Sequence, residues 1–93
     1  MIRRQPTIAR YLAERRLRDP SLGAVERLEN SIAAAIEAFS FREAKRLLMY
    51  RLLLSEKLND AKVEQEFFAQ LSDDLEIAIA DPEAAMARMQ SAH

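Results

Sequence analysis

The sequence contains no cysteine and no tryptophan, one glycine and three prolines. Without cysteine, the chain cannot form disulfides, use thiolate chemistry or bind a metal through sulfur. Its only histidine, His93, is the final residue, and chain ends are commonly poorly ordered. The sequence also lacks a glycine-rich loop that would hold phosphates. We therefore expect a protein that is not an enzyme and that uses no cofactor and no metal.

Long hydrophobic runs are also missing. No apolar segment approaches the roughly 20 residues that a membrane-spanning helix needs. The N-terminus shows no secretory signal pattern. These features predict a cytoplasmic protein that does not bind a membrane.

Few residues favour β-strands, and none of the β-branched ones alternate with polar residues. Alanine, leucine, arginine, glutamate and lysine dominate instead, and these have high helix propensity. A chain of 93 residues is long enough for one domain. The composition predicts an all-α fold, a small helical bundle of four to five helices built on a central antiparallel helical hairpin.

Helix boundaries are marked by short polar signals. The signals are two Asp-Pro pairs at 19–20 and 81–82, a capping-box pattern from Ser40 to Glu43, and the pair Asn59-Asp60, which we expect to end one helix and cap the next. They divide the chain into a basic N-terminal arm with a short helix (1–19), a helical core (20–80) and a short C-terminal helix with a tail (81–93). Within the core, we predict helices at about 21–39, 41–57 and 61–80.

Charge is distributed unevenly along the chain, although the net charge is only −1. Residues 1–19 hold six arginines against two acids, whereas residues 60–93 hold eight acids against two bases. The arginines could neutralise nucleic-acid phosphates, although an overall pI near 5.8 opposes this. The residues for this alternative are Arg3, Arg4, Arg10, Arg15, Arg16 and Arg18.

The predicted helix at 41–57 is apolar on nearly all sides. A helix of this kind needs neighbours on most sides. Either the other helices of a monomer cover it, or a second molecule does, as a homodimer or as a helix-in-groove complex. We expect the apolar strip at 47–54 and 63–79 to form this partner or dimer interface. The candidate residues are Leu47, Tyr50, Arg51, Leu54, Phe67, Phe68 and Leu71.

Arg51 lies among leucines on the predicted helix, and a buried guanidinium needs a carboxylate partner. Antiparallel register across the two hairpin corners makes Glu29 and Glu64 the possible ion-pair partners. Three interpretations stay open: a structural ion pair that fixes register, a polar anchor in a partner-binding groove, or a side chain that extends to solvent.

Together these patterns favour a non-enzymatic protein–protein interaction module. We expect a small cytoplasmic regulator, adaptor, anti-activator or secretion chaperone that occludes a partner helix, and we expect it to be a homodimer. The protein partner is unknown. Nucleic-acid binding through the arginine-rich arm is the alternative.

Overall fold

The computed structural model describes residues 6–16 and 23–91, and within these ranges it contains five α-helices and no strand. The all-α prediction is therefore confirmed for the described residues. The helices are α1 (Pro6–Arg16), α2 (Ala24–Glu37), α3 (Phe41–Leu54), α4 (Lys62–Ala80) and α5 (Pro82–Ser91). The predicted boundary at Asp19-Pro20 and the terminal His93 lie outside the described residues.

The bundle is organised around α3, which packs against both α2 and α4. Helix α1 also packs against α2 and α4, and α5 packs against α4. The largest fully buried side chains come from α2, α3 and α4: Ile32, Ile36, Leu48, Leu71 and Leu75. Their spacing follows the helical period, so each of these helices turns one apolar face toward a shared core.

The corner between α2 and α3 closes through a non-glycine residue with a left-handed backbone. Phe39 has φ 61°, and the amides of Phe39 and Ser40 donate to the carbonyls of Ile36 (2.9 Å) and Ala35 (2.8 Å). This is the Schellman pattern, which commonly ends a helix but usually uses glycine. The predicted capping box is wrong: among the described residues, the Ser40 side chain makes no capping hydrogen bond, and Glu43 bonds to Arg46.

Helix α3 ends at Leu54, three residues before the predicted end, and turns continue through residues 55–59. Asn59 has φ 55°, and the Asp60 amide donates to the Ser55 carbonyl at 3.1 Å. A second Schellman turn therefore reverses the chain here. Ala61, not Asp60, occupies the N-cap of α4, so the predicted cap by Asp60 is also wrong.

Helix α5 begins as the sequence predicts. Pro82 occupies the first helical position, and the Asp81 side chain accepts a hydrogen bond from the Ala84 amide at 3.2 Å. Within the described residues, no helix combines the length and the apolar character that crossing a membrane requires.

Candidate functional site

Arg51 lies on the inner side of α3 and is only 3% exposed. Its Nε donates to Glu29 Oε2 at 3.1 Å, while Nη1 and Nη2 donate to the two Asp60 carboxylate oxygens at 2.7 and 3.2 Å. The pair with Asp60 is thus bidentate, which matches the planar guanidinium to the carboxylate. One side chain therefore ties α3 to α2 and to the corner that precedes α4.

Arg15 brings α1 into the same cluster. Its Nη1 donates to Glu29 Oε1 at 3.2 Å, and its Nη2 donates to Glu26 Oε2 and Asn30 Oδ1, both at 2.6 Å. Glu29 therefore binds an arginine at each carboxylate oxygen. We call Arg15, Glu26, Glu29, Arg51 and Asp60 the ion-pair network.

Two aromatic rings line the network. The Arg51 guanidinium lies 4.6 Å from the centroid of the Phe68 ring, a cation–π distance. The Tyr11 ring meets Phe68 edge-on, and the Tyr11 hydroxyl donates to the Glu29 carbonyl at 2.7 Å. Burial, and secondarily the negative charge of Glu29, raise the pKa of Tyr11, so this hydroxyl stays protonated and acts as a donor.

Within the network, Arg51 and Asp60 favour each other's ionised form. Burial, the largest single influence on Arg51, lowers its pKa, but the hydrogen bonds with Asp60 and Glu29 outweigh burial and the net pKa is raised. The hydrogen bond from Arg51 lowers the pKa of Asp60. Because cations and carboxylates satisfy each other, the arrangement ties the helices together.

A second feature of α3 lies on a different side of the helix. Met49 and Tyr50 are adjacent, and each lies three or four residues from both Arg46 and Leu53, so the four residues share one side of the helix. Met49 is 45% exposed, Tyr50 53% and Leu53 74%. We call these four residues the exposed stripe. No helix in the described part of the chain covers them.

The stripe is partly ordered by its own contacts. Arg46 donates from Nε to Glu43 at 3.0 Å, and its guanidinium lies 6.0 Å from the Tyr50 ring centroid. The hydrogen bond from Arg46 lowers the pKa of Glu43. An open groove of about 350 Å³, lined partly by Arg46, Met49 and Ile79, runs beside the stripe between α3 and α4.

The predicted interface residues separate in the structure. Tyr50 is exposed, whereas Arg51, Phe68 and Leu71 are buried in the monomer. The remaining three are half-buried: Leu47, Leu54 and Phe67. A partner cannot reach Phe68 or Leu71 in this structure, because α4 turns both into the shared core. Three of the four stripe residues lie in the 47–54 part of the predicted strip, but Met49 and Leu53 were not among the candidate residues.

The two predicted partners of Arg51 also have different positions. Glu29 contacts it, whereas Glu64 is exposed in the first turn of α4. Asp60 was missed because it was assigned to a helix cap. A nine-residue separation across a tight corner is the only sequence signal that would have linked Asp60 to Arg51.

The arginines of the nucleic-acid alternative have acidic neighbours where they are described. Arg10 pairs with Glu14 at 3.0 Å, and Arg16 lies 3.8 Å from Glu37. Arg15 is buried in the ion-pair network. The other three lie outside the described residues: Arg3, Arg4 and Arg18.

Residues 6–16 and 23–91 hold no group of three or more acidic or histidine side chains arranged to bind a metal ion. The fold defines the class as a small all-α helical bundle. Comparison of the chain with protein-family models, with curated proteins and with solved structures found no significant match.

Proposed function

We propose that this protein is a non-enzymatic protein–protein interaction module that binds a partner helix through the exposed stripe of α3. The observation behind this proposal is the row of large apolar side chains, Met49, Tyr50 and Leu53, on a helix whose other sides are packed. Helix-in-groove complexes use anchors at this spacing.

The residue types of the stripe support the same function. Tyrosine, methionine and arginine are enriched at the centres of protein interfaces. Arg46 is already bonded to Glu43 and lies near Tyr50, so binding would cost less side-chain entropy than for a free arginine. The groove beside α3 adds a concave surface for a partner side chain.

The biological role follows from which helix the stripe covers. A module of this size that occludes a partner helix would serve as a small cytoplasmic regulator, adaptor, anti-activator or secretion chaperone. These roles share one physical requirement, namely that the α3 stripe is free to bind.

The experiment is site-specific photo-cross-linking in the source cells. A benzophenone amino acid replaces Tyr50 in one variant and the exposed Ala87 of α5 in a control variant. We expect position 50 alone to give a discrete cross-linked protein, which is then purified for binding measurements. Substitution Leu53→Glu should weaken its binding at least tenfold, whereas Ala87→Glu should not.

Two results would overturn the proposal. One is the absence of any product specific to position 50. The other is a purified partner whose affinity is unchanged by Leu53→Glu, with circular dichroism showing that the variant is folded.

Nucleic-acid binding remains the alternative. The described arginines of the arm have acidic neighbours, so phosphates would have to compete for them. A titration with random-sequence DNA at about 50 mM salt tests this, since phosphate-driven binding is strongest at low salt. We expect no binding.

A further inference from the structure

We infer that the occupant of the exposed stripe is a second copy of this chain, bound antiparallel about a two-fold axis that passes the exposed side of α3 at the level of residue 51. This inference rests on the proposed function and names the partner. It depends on the order of charges along the stripe.

The stripe continues past the end of α3. The Leu58 amide donates to the Leu54 carbonyl at 2.9 Å, so the helical path persists into the turn. Glu56 and Lys57 are exposed there, three and four residues after Leu53. They extend the same row, because side chains at these spacings share a helix face.

The row therefore has charges of both signs at each end. Arg42, Glu43 and Arg46 precede the apolar centre, and Glu56 and Lys57 follow it. All five are exposed. Such a mixed-charge surface gives no preference for a strongly acidic or strongly basic partner.

Antiparallel pairing matches these ends to each other. In an antiparallel helix pair with two-fold symmetry, the residue numbers of any two facing residues add up to the same value. For an axis at the level of residue 51, this value is about 102. Arg46 then faces Glu56 of the second copy, and Met49 faces Leu53 of the second copy. Glu43 lies within side-chain reach of Lys57 of the second copy, about 3 Å farther along the axis. Because the axis repeats each contact, every match occurs twice.

A parallel pairing lacks this complementarity. It would place Arg46 beside Arg46 of the second copy, and like charges at an interface are unfavourable. The stripe is thus complementary to itself in one orientation, as an isologous interface requires.

The contact is small. From Glu43 to Lys57 the row is about 20 Å long. An interface formed by one helix from each copy buries an area at the low end of the range for specific interfaces. We expect a reversible dimer with a dissociation constant of about 10–100 µM, which makes the stripe accessible at low concentration.

The test is sedimentation equilibrium on the full chain from about 5 µM to 1 mM, a range that brackets the expected dissociation constant. Two charge reversals, Arg46→Glu and Glu56→Arg, should each weaken self-association at least tenfold, because each places like charges together twice. When the two variants are mixed, both mismatches become opposite-charge pairs. The mixture should therefore form a heterodimer about as tight as the unmodified dimer.

The matched controls are Arg27→Glu and Glu66→Arg, which reverse exposed charges on α2 and α4. Neither should change the association, alone or mixed. Circular dichroism on every variant checks that it is folded.

The inference is overturned if the unmodified chain stays monomeric up to 1 mM, or if mixing the two reversals does not restore association. A monomer that still cross-links another protein through position 50 overturns the second-copy inference alone. A chain that neither self-associates nor cross-links through position 50 overturns the proposed function as well.

Discussion

Arg46 and Arg51 are five residues apart on α3 and have opposite surroundings. Five residues correspond to roughly 140° around a helix, so the two side chains leave from different sides. Arg51 enters a pocket with Glu29, Asp60 and the Phe68 ring, whereas Arg46 lies at the surface on Glu43. The same residue type thus bonds to neighbouring elements of the bundle on one side of α3 and lies at the surface on the other, where we propose that it contacts a partner.

The two arginines differ in how much water can reach their ion pairs. Around Arg51 the side chains of Glu29 and Asp60 are only 11% and 8% exposed, so removing the cation leaves charges that water compensates poorly. Around Arg46 water replaces any lost partner. We therefore expect matched substitutions on the two sides to have very different effects on stability and the opposite pattern in binding.

The largest contrast is expected for the two arginines. Arg51→Met removes the cation shared by Glu29 and Asp60, and should lower the free energy of unfolding by about 3–5 kcal/mol. Arg46→Met should leave it unchanged within experimental error, because the Glu43 pair is exposed. Urea unfolding followed by circular dichroism at matched low concentration measures both. Equal effects would contradict the division of α3 into a structural and a recognition side.

The two leucines Leu71 and Leu53 give the next contrast. Leu71 is fully buried in α4, so Leu71→Ala should destabilise the protein by about 2–5 kcal/mol through lost contacts and a cavity. Leu53 is 74% exposed, and Leu53→Ala should change stability by less than about 0.5 kcal/mol. Urea unfolding followed by circular dichroism measures the stability of both variants. A large loss for Leu53→Ala at low protein concentration would mean that the stripe supports the monomer fold.

Much of the helical architecture could be predicted from sequence, because the 3.6-residue period and the polar breaks are local signals. Which side of α3 is exposed could not be predicted in this way. This helix is apolar nearly all round, so its pattern does not say which side α2 and α4 will cover. Phe68 and Leu71 lie on the apolar face of α4, and the pattern of that face likewise does not say whether a neighbouring helix or a partner covers it.

The hydrogen-bond partners of individual polar side chains were harder to predict from sequence than the exposed side of α3. Antiparallel register places Glu29 near Arg51, and the atoms are 3.1 Å apart in the structure. Asp60 and Ser40 are typical helix-capping residues, but propensity does not determine what a side chain finally bonds. At Asp60 a buried guanidinium competes with the helix amides, and the charged hydrogen bond is the stronger one. The left-handed Phe39 also lacked a sequence signal, because glycine or asparagine is usual there.

The only two tyrosines provide a smaller contrast. Tyr11→Phe removes the buried hydrogen bond to the Glu29 carbonyl and keeps the ring beside Phe68, so it should destabilise the protein by about 1 kcal/mol. Tyr50→Phe removes a hydroxyl from an exposed ring and should have no measurable effect. Thermal and urea unfolding both report this difference. No loss for Tyr11→Phe would show that the hydroxyl adds little to the network.

The carboxylates give the last contrast, which is measured as a pH dependence of stability in acid. The folded-state pKa of Asp60 is lowered by its hydrogen bond from Arg51. Its contribution to stability is therefore fully present above the ordinary aspartate pKa of about 3.9 and is lost as the pH falls through the lowered value. We expect Asp60→Asn to flatten the fall in unfolding free energy as the pH drops below about 4.

Glu43→Gln is the matched control on the exposed side of α3. The pKa of Glu43 is also lowered, by its hydrogen bond from Arg46, so its linkage has the same sign. Water and salt screen this exposed pair, and added salt should therefore remove its part of the acid dependence while leaving most of that from Asp60. Urea unfolding across the pH series at low and high salt measures both. If salt removes the two contributions equally, the network around Arg51 is no better shielded from solvent than the stripe, and the contrast between the two sides of α3 does not hold for electrostatics.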